Sequence, residues 1–170
     1  MHAACATFVA QAIERHDKFH GGPFASVLEI GARDVNGGVR SLFGPCEYTT
    51  LDIEDGPGVD IVADARHWTP SVGVRFDVIV CTNVLEHVHD WHLLIDQAAE
   101  ALMPGGWLIV TTVGDPFPPH SAVDGGALRP GEYYGNVDAW KLLQACGAAG
   151  LYVEAIHAIP PEVQIVGVKR

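Results

Sequence analysis

Basic residues are scarce: ten Lys and Arg stand against 21 Asp and Glu, giving a formal net charge of −11. Such a balance repels a phosphate backbone, so nucleic acid is not expected as the partner. Long apolar runs are missing too. Stretches such as Val78-Ile79-Val80-Cys81 fall far short of the ~18 residues a membrane helix needs, and no basic, apolar leader opens the chain. Cys5, Cys46, Cys81 and Cys146 include no C-x-x-C pair and are too few for a disulfide scaffold. A reduced cytoplasmic protein without a membrane anchor is expected. Charged residues are only 18% of the chain against 48% hydrophobic, which excludes a disordered polymer. The 170 residues predict one domain over 1–170, with an N-terminal helix in 1–22 and a core in 23–170.

Ala4, Phe8, Ala12 and Phe19 recur near helical spacing and predict a helix from Ala3 to Phe19, stopped by His20-Gly21-Gly22-Pro23. Short apolar runs follow, each closed by Gly, Asp or Asn. They predict strands at Ala25 to Ile30, Tyr48 to Asp52, Val59 to Ala63, Phe76 to Cys81 and Trp107 to Val113. Continuous apolar runs of this length suit parallel strands buried on both faces. Helices are expected at Trp91 to Met103, before Pro104-Gly105-Gly106, and at Val137 to Ala149, before Gly150. Leu151 to His157 and Val163 to Val168 flank a short Pro160-Pro161 break, so they should pair antiparallel. The expected fold class is α/β: a Rossmann-like, mostly parallel sheet of about seven strands, an antiparallel C-terminal hairpin, and helices on both faces.

Ligands of open parallel sheets bind beyond the carboxyl ends of the strands. The first predicted strand ends in Glu29-Ile30-Gly31-Ala32-Arg33-Asp34-Val35-Asn36-Gly37-Gly38, leading to a short helix expected at Val39 to Phe43. The second ends in Asp52, 21 positions beyond Gly31, where an acid can accept hydrogen bonds from a ribose diol. The third is followed by Asp64-Ala65.

With these pieces in order, the chain from Val27 to about Val168 resembles the class I S-adenosylmethionine-dependent methyltransferases. Glu29 and Gly31 match the start of the family's Glu-x-Gly-x-Gly-x-Gly motif, and Asp52 and Asp64-Ala65 match its next two acids. Phe76 to Val88, with Asn83-Val84-Leu85-Glu86-His87, is similar to its motif after strand four. Leu102-Met103-Pro104-Gly105-Gly106 is similar to its turn before strand five. Arg33 and Val35 stand where the family has its second and third glycines, and the same departure removes a dinucleotide G-x-G-x-x-G. That counts against a nicotinamide oxidoreductase. It also leaves a non-catalytic S-adenosylmethionine-binding module as the alternative to a methyltransferase.

The resemblance implies S-adenosyl-L-methionine as cofactor. Glu29 and Gly31 would lie at the methionine moiety, Asp52 at the ribose hydroxyls with Ile53 beside the adenine, and Asp64 at the adenine amine with Ala65. Thr82 and Asn83 would line the methionine side. Arg33 either meets the methionine carboxylate or pairs with Asp34 at the surface.

Acceptor pockets in the family often form after strands four and five. About 23 residues without periodicity, from Gly114 to Gly135, suit a lid or binding loop. His87, His120 and Tyr134 are the catalytic candidates: an imidazole neutral at pH 7 can take a proton from a hydroxyl, and Tyr134 can orient the acceptor. His87-x-His89-x-x-His92 has no obvious acidic partner beyond Asp90 and Asp96, so no metal is expected. His16 and His20 are expected as a solvated stripe, and the four tryptophans as core or rim packing. Thr82-Asn83-Val84-Leu85 is not the Asn/Asp-Pro-Pro-Tyr signature of amino-methylating DNA enzymes. A small molecule, sugar or protein side chain is the expected acceptor, methylated on oxygen or nitrogen.

Overall fold

The computed structural model describes residues 3–33 and 37–170. In chain order its elements are α1 (Ala3–Phe19), β1 (Ser26–Ile30), β2 (Glu47–Asp52), β3 (Ile61–Val62), β4 (Phe76–Thr82), α2 (Trp91–Ala101), β5 (Leu102–Val113), α3 (Ala139–Ala148), β6 (Leu151–Ile159) and β7 (Glu162–Lys169). Single 3-10 turns occupy Arg40–Leu42 and Leu85–His87. The strands form one sheet in the order β3-β2-β1-β4-β5-β7-β6. β1 through β5 pair in parallel, and β7 runs antiparallel to both β5 and β6. The expected C-terminal hairpin is therefore present.

Successive strand side chains point to opposite faces, and the apolar core divides accordingly. Val27, Val78, Val80, Trp107 and Ile109 join Val9 and Ala12 of α1 in one cluster. Their neighbours Leu28, Ile79, Cys81, Leu108 and Val110 join Leu94, Ile95, Leu142 and Cys146 of α2 and α3 in the other. Helices thus cover both faces. Among the described residues, no helix is long and apolar enough to cross a membrane.

Two expectations change. α2 stops at Ala101, and Leu102 to Gly106 belong to β5, which bulges where Phe76 pairs with Leu102 but Val78 with Trp107. Gly105, at φ +81°, makes that bulge, and a Cβ on Gly106 would lie 2.9 Å from the Met103 carbonyl oxygen. The proline and glycines bend a strand rather than separate it from the helix. His16 is not a solvated residue. It stacks on Phe24 with centroids 4.0 Å apart, meets Trp107 edge-on at 5.0 Å, and is held below the usual imidazole range by burial. His20 is exposed but touches the same indole, at 5.1 Å.

Candidate active site

The strand order reverses direction between β1 and β4, the position at which open α/β sheets bind ligands. Two adjoining cavities of about 840 and 520 Å³ open there and share Gly31, Arg33, Asn83 and His87. Both volumes suit a small-molecule site.

Gly31 sits at the centre of this arrangement. Its φ is +75°, and a Cβ there would stand 2.1 Å from a methyl of Val84. Only glycine fits, because the backbone after β1 presses against the turn after β4. Beside it, Glu29 is 5% exposed, and its Oε2 accepts from the Tyr48 hydroxyl at 2.8 Å. The buried carboxylate pushes the Tyr48 hydroxyl's pKa up, adding to the larger effect of burial.

Across the cleft, backbone N–H groups fix the Asp52 carboxylate. Arg33 N–H donates to Oδ2 and Glu54 N–H to Oδ1, each at 3.0 Å. Ile53 next to it is 64% exposed, an apolar surface without cover at the cavity edge. Asp64 lines the same cavity with Ala65, but Arg66 grips both of its oxygens, the shortest contact being 2.6 Å. That hydrogen-bonded partner holds the Asp64 carboxyl below the usual range.

The Arg33 guanidinium pairs with Glu54. Glu54 lies just beyond the strand that carries Asp52, and the arginine stem crosses Gly56 on the way. Asp34 and Val35 lie outside the described residues.

Thr82 and Asn83 line the larger cavity at the end of β4. Asn83 adopts φ 55°, a left-handed conformation that asparagine tolerates better than most residues. Its Oδ1 accepts from Cys5 Sγ at 3.0 Å and Thr111 Oγ1 at 3.3 Å.

Residues 114–138 contain no helix or strand and fold over both cavities. Ser121 Oγ donates to Glu132 at 2.7 Å, Arg129 pairs with Asp124, and Gly135 N–H donates to the Glu86 carbonyl at 2.8 Å. This loop brings the three catalytic candidates together. His87 and His120 meet with ring centroids 4.8 Å apart, and Tyr134 stands 5.5 Å from the first and 5.0 Å from the second. Tyr134 donates to Asn136 Oδ1 at 2.8 Å, and Asn136 donates to Asp115 at 2.7 Å and to the Phe117 carbonyl at 3.1 Å.

Burial, with His120 adding to it, pushes the His87 imidazole down to about 4, so it is neutral at pH 7. Burial pushes the Tyr134 hydroxyl up to about 12, leaving it a neutral donor and acceptor. Behind them Glu86 is fully buried. Its Oε2 accepts from Thr112 Oγ1 at 2.7 Å, and desolvation lifts its carboxyl to about 7. His89 turns outward against Asp90 and is 72% exposed at its side chain, so the His87, His89 and His92 run does not converge.

A profile of the methyltransferase domain family matches residues 1–156. The chain belongs to that family. Its fold is that of the class I S-adenosylmethionine-dependent methyltransferases. A sugar N-methyltransferase from Streptoalloteichus sp ATCC 53650 superposes with a TM-score of 0.71 at 16% identity, covering 99% of this chain and 87% of that one. The 1,6-didemethyltoxoflavin-N1-methyltransferase of Burkholderia thailandensis, solved with 1,6-didemethyltoxoflavin and S-adenosylhomocysteine, gives 0.68 at 16% identity, covering 98% and 78%. The ubiquinone biosynthesis O-methyltransferase of Chelativorans sp. (strain BNC1) is 38% identical over 61 residues, 36% of this chain and 24% of that protein. The match thus spans about a quarter of that curated relative.

Within the methyltransferase domain, three contributors escaped the sequence reading. Tyr48 is 19 residues from the Glu29 it holds, and Asn136 joins the nearby Tyr134 to Asp115 and Phe117, which lie far back along the chain. Glu86 was visible inside Leu85-Glu86-His87-Val88, but nothing in the sequence marks it as buried rather than solvated.

Proposed function

We propose that this methyltransferase domain moves a methyl group from S-adenosylmethionine to an oxygen or nitrogen nucleophile of a small molecule or sugar. One observation carries the reading: the carboxylates of Glu29 and Asp52 line the two cavities that meet at Gly31, at the switch in strand order. A positively charged amino acid and a ribose diol both need acidic partners, and a sulfonium-bearing nucleoside presents both. Asp52, its outer lone pairs free of Arg33 and Glu54, accepts the ribose hydroxyls. Ile53 covers one adenine face. Asp64 faces the adenine edge with Ala65, although Arg66 already occupies most of its lone pairs. Glu29 and Gly31 take the methionine end with Thr82 and Asn83. Arg33 contributes its backbone N–H to Asp52 while its guanidinium stays with Glu54.

When bound, S-adenosylmethionine supplies a methyl carbon already activated by positive sulfur. The chain's task is positioning, because a well-aligned in-line approach supplies most of the rate. The loop over residues 114–138 lies over the cleft, and Tyr134 orients the acceptor through a hydroxyl fixed by Asn136. An oxygen acceptor must lose its proton, and the imidazoles of His87 and His120 stand at the cleft to take it. Four cysteines without a C-x-x-C pair support a reducing, cytoplasmic setting, and the acidic composition disfavours nucleic acid.

The test is transfer of a labelled methyl group from S-adenosylmethionine to a panel of phenols, amines and amino sugars. Transfer that is lost in Glu29→Gln and Asp52→Ala is expected. Equal turnover in those variants would overturn the reading.

A further inference from the structure

Among the described residues one set of carboxylate and imidazole side chains converges. Glu86, His87 and His120 each offer a ligand atom, and these atoms lie within 4.8 Å of one another. Two of the three residues also carry buried polar atoms without a hydrogen-bond partner: Oε1 of Glu86 and Nδ1 of His87. An orphaned buried acceptor costs about 1–3 kcal/mol, more if charged. Two at one point of a core are hard to explain by packing. The other Glu86 oxygen is held by Thr112, and Nδ1 of His120 lies 3.3 Å from the Pro118 carbonyl. A proton placed there donates to that carbonyl and leaves Nε2 of His120 as a free lone pair. Metal-bound histidines are braced in this way.

We propose that Glu86, His87 and His120 form a binding site for a first-row divalent transition cation of the zinc type. Two imidazoles and one carboxylate are a donor set suited to zinc and its neighbours, not to magnesium or calcium, which prefer all-oxygen shells. Ligands about 2.1 Å from a cation stand about 3.4 Å apart at the tetrahedral angle. Binding therefore draws the His120 loop inward by roughly 1 Å. His87 and His120 line a cavity together with Phe117 and Ser121 of the loop after β5, so the cation's open position faces the loop side, where an acceptor enters. There it takes an acceptor hydroxyl and acidifies it, so that its proton leaves to water. Without the cation, an imidazole takes that proton. This role rests on the methyl-transfer reading; the binding itself does not.

The experiment titrates Co²⁺ and Zn²⁺ into the chelator-treated full chain, with Mg²⁺ beside them. Cobalt's visible d–d absorption reports its coordination, and competition with Zn²⁺ gives affinities. One equivalent of Co²⁺ per chain with an intense, low-coordinate spectrum is expected. Zn²⁺ affinity should fall about tenfold or more in His120→Ala and Glu86→Gln. It should hold in His89→Ala and His92→Ala. His120 lies in a loop, so its variant remains informative if Glu86→Gln fails to fold. Absence of the cobalt spectrum, or an affinity that survives His120→Ala and disappears in His89→Ala, overturns the site. S-adenosylmethionine is titrated into the same preparation. Its binding without cobalt binding rejects the cation alone, and cobalt binding without it rejects the methyl-transfer reading alone.

Discussion

The imidazoles of His87 and His120 meet edge to face, at 88° between their planes, although one follows β4 and the other lies in the loop after β5. The pairing of those two strands, from Val78↔Trp107 to Thr82↔Thr111, brings them to one mouth. Changing either histidine to Ala is expected to lower kcat for an oxygen acceptor by about 10²–10⁴, with S-adenosylmethionine affinity nearly unchanged. Steady-state transfer assays beside calorimetry check this. Full activity in both variants would remove the pair from the chemistry.

Gly31→Ala should destroy the cleft rather than adjust it. The new methyl group would overlap Val84, whose Cγ2 lies 2.1 Å from it, at a φ of +75° that alanine disfavours. A loss of cofactor binding and a lower melting temperature are expected. Adding Val84→Ala should recover part of both, because it removes the overlap but not the backbone strain. No recovery in the double variant would mean that strain alone dominates.

Stability against pH separates Glu86 from His87. Burial raises the folded-state pKa of Glu86 from 4.5 to about 7. Its contribution is therefore complete below about pH 4.5 and is lost as pH rises through 7. Burial lowers that of His87 from 6.5 to about 4, so its contribution is complete above pH 6.5 and is lost as pH falls through 4. The two slopes oppose each other between pH 4.5 and 6.5. In chelator, Glu86→Gln should gain stability relative to the parent between pH 5 and 8, by about 3 kcal/mol at most. His87→Ala should instead leave a curve that falls with rising pH. Denaturant melts across that range test both, and parallel curves for parent and Glu86→Gln would show that the carboxyl is not buried as a neutral acid.

Much of this was legible in the sequence. The period-two division of Val27 from Leu28 and of Val78 from Ile79 is a property of strands, and Asp52 and Gly31 were placed by the strand ends they close. The partners were not legible. Arg33 meets Glu54 because β1 and β2 lie side by side, a contact that no spacing in the chain announces. Pro104-Gly105-Gly106 reads as a stop, while its geometry is a bulge within β5. Whether His16 is wet depends on Phe24 and Trp107, which only the folded chain brings over it.

Arg33→Ala should change little. Its guanidinium meets a half-exposed glutamate, and such pairs contribute about 0–1 kcal/mol. Its effect on Asp52 passes through a backbone N–H that alanine keeps. Affinities for S-adenosylmethionine and adenosine, measured side by side, should both hold. A selective loss for S-adenosylmethionine would restore a contact between this arginine and the methionine carboxylate.

The central claim is tested most directly by calorimetric titration of S-adenosylmethionine into the parent chain and into Asp52→Ala, with thermal melts to confirm folding. A charge-assisted hydrogen bond to a ribose hydroxyl contributes about 1.5–3 kcal/mol, so loss of one weakens binding roughly 10- to 150-fold. Saturable one-site binding by the parent, weakened at least about tenfold in folded Asp52→Ala, is the predicted result. No binding by the parent, or an unchanged Kd in the variant, would contradict it.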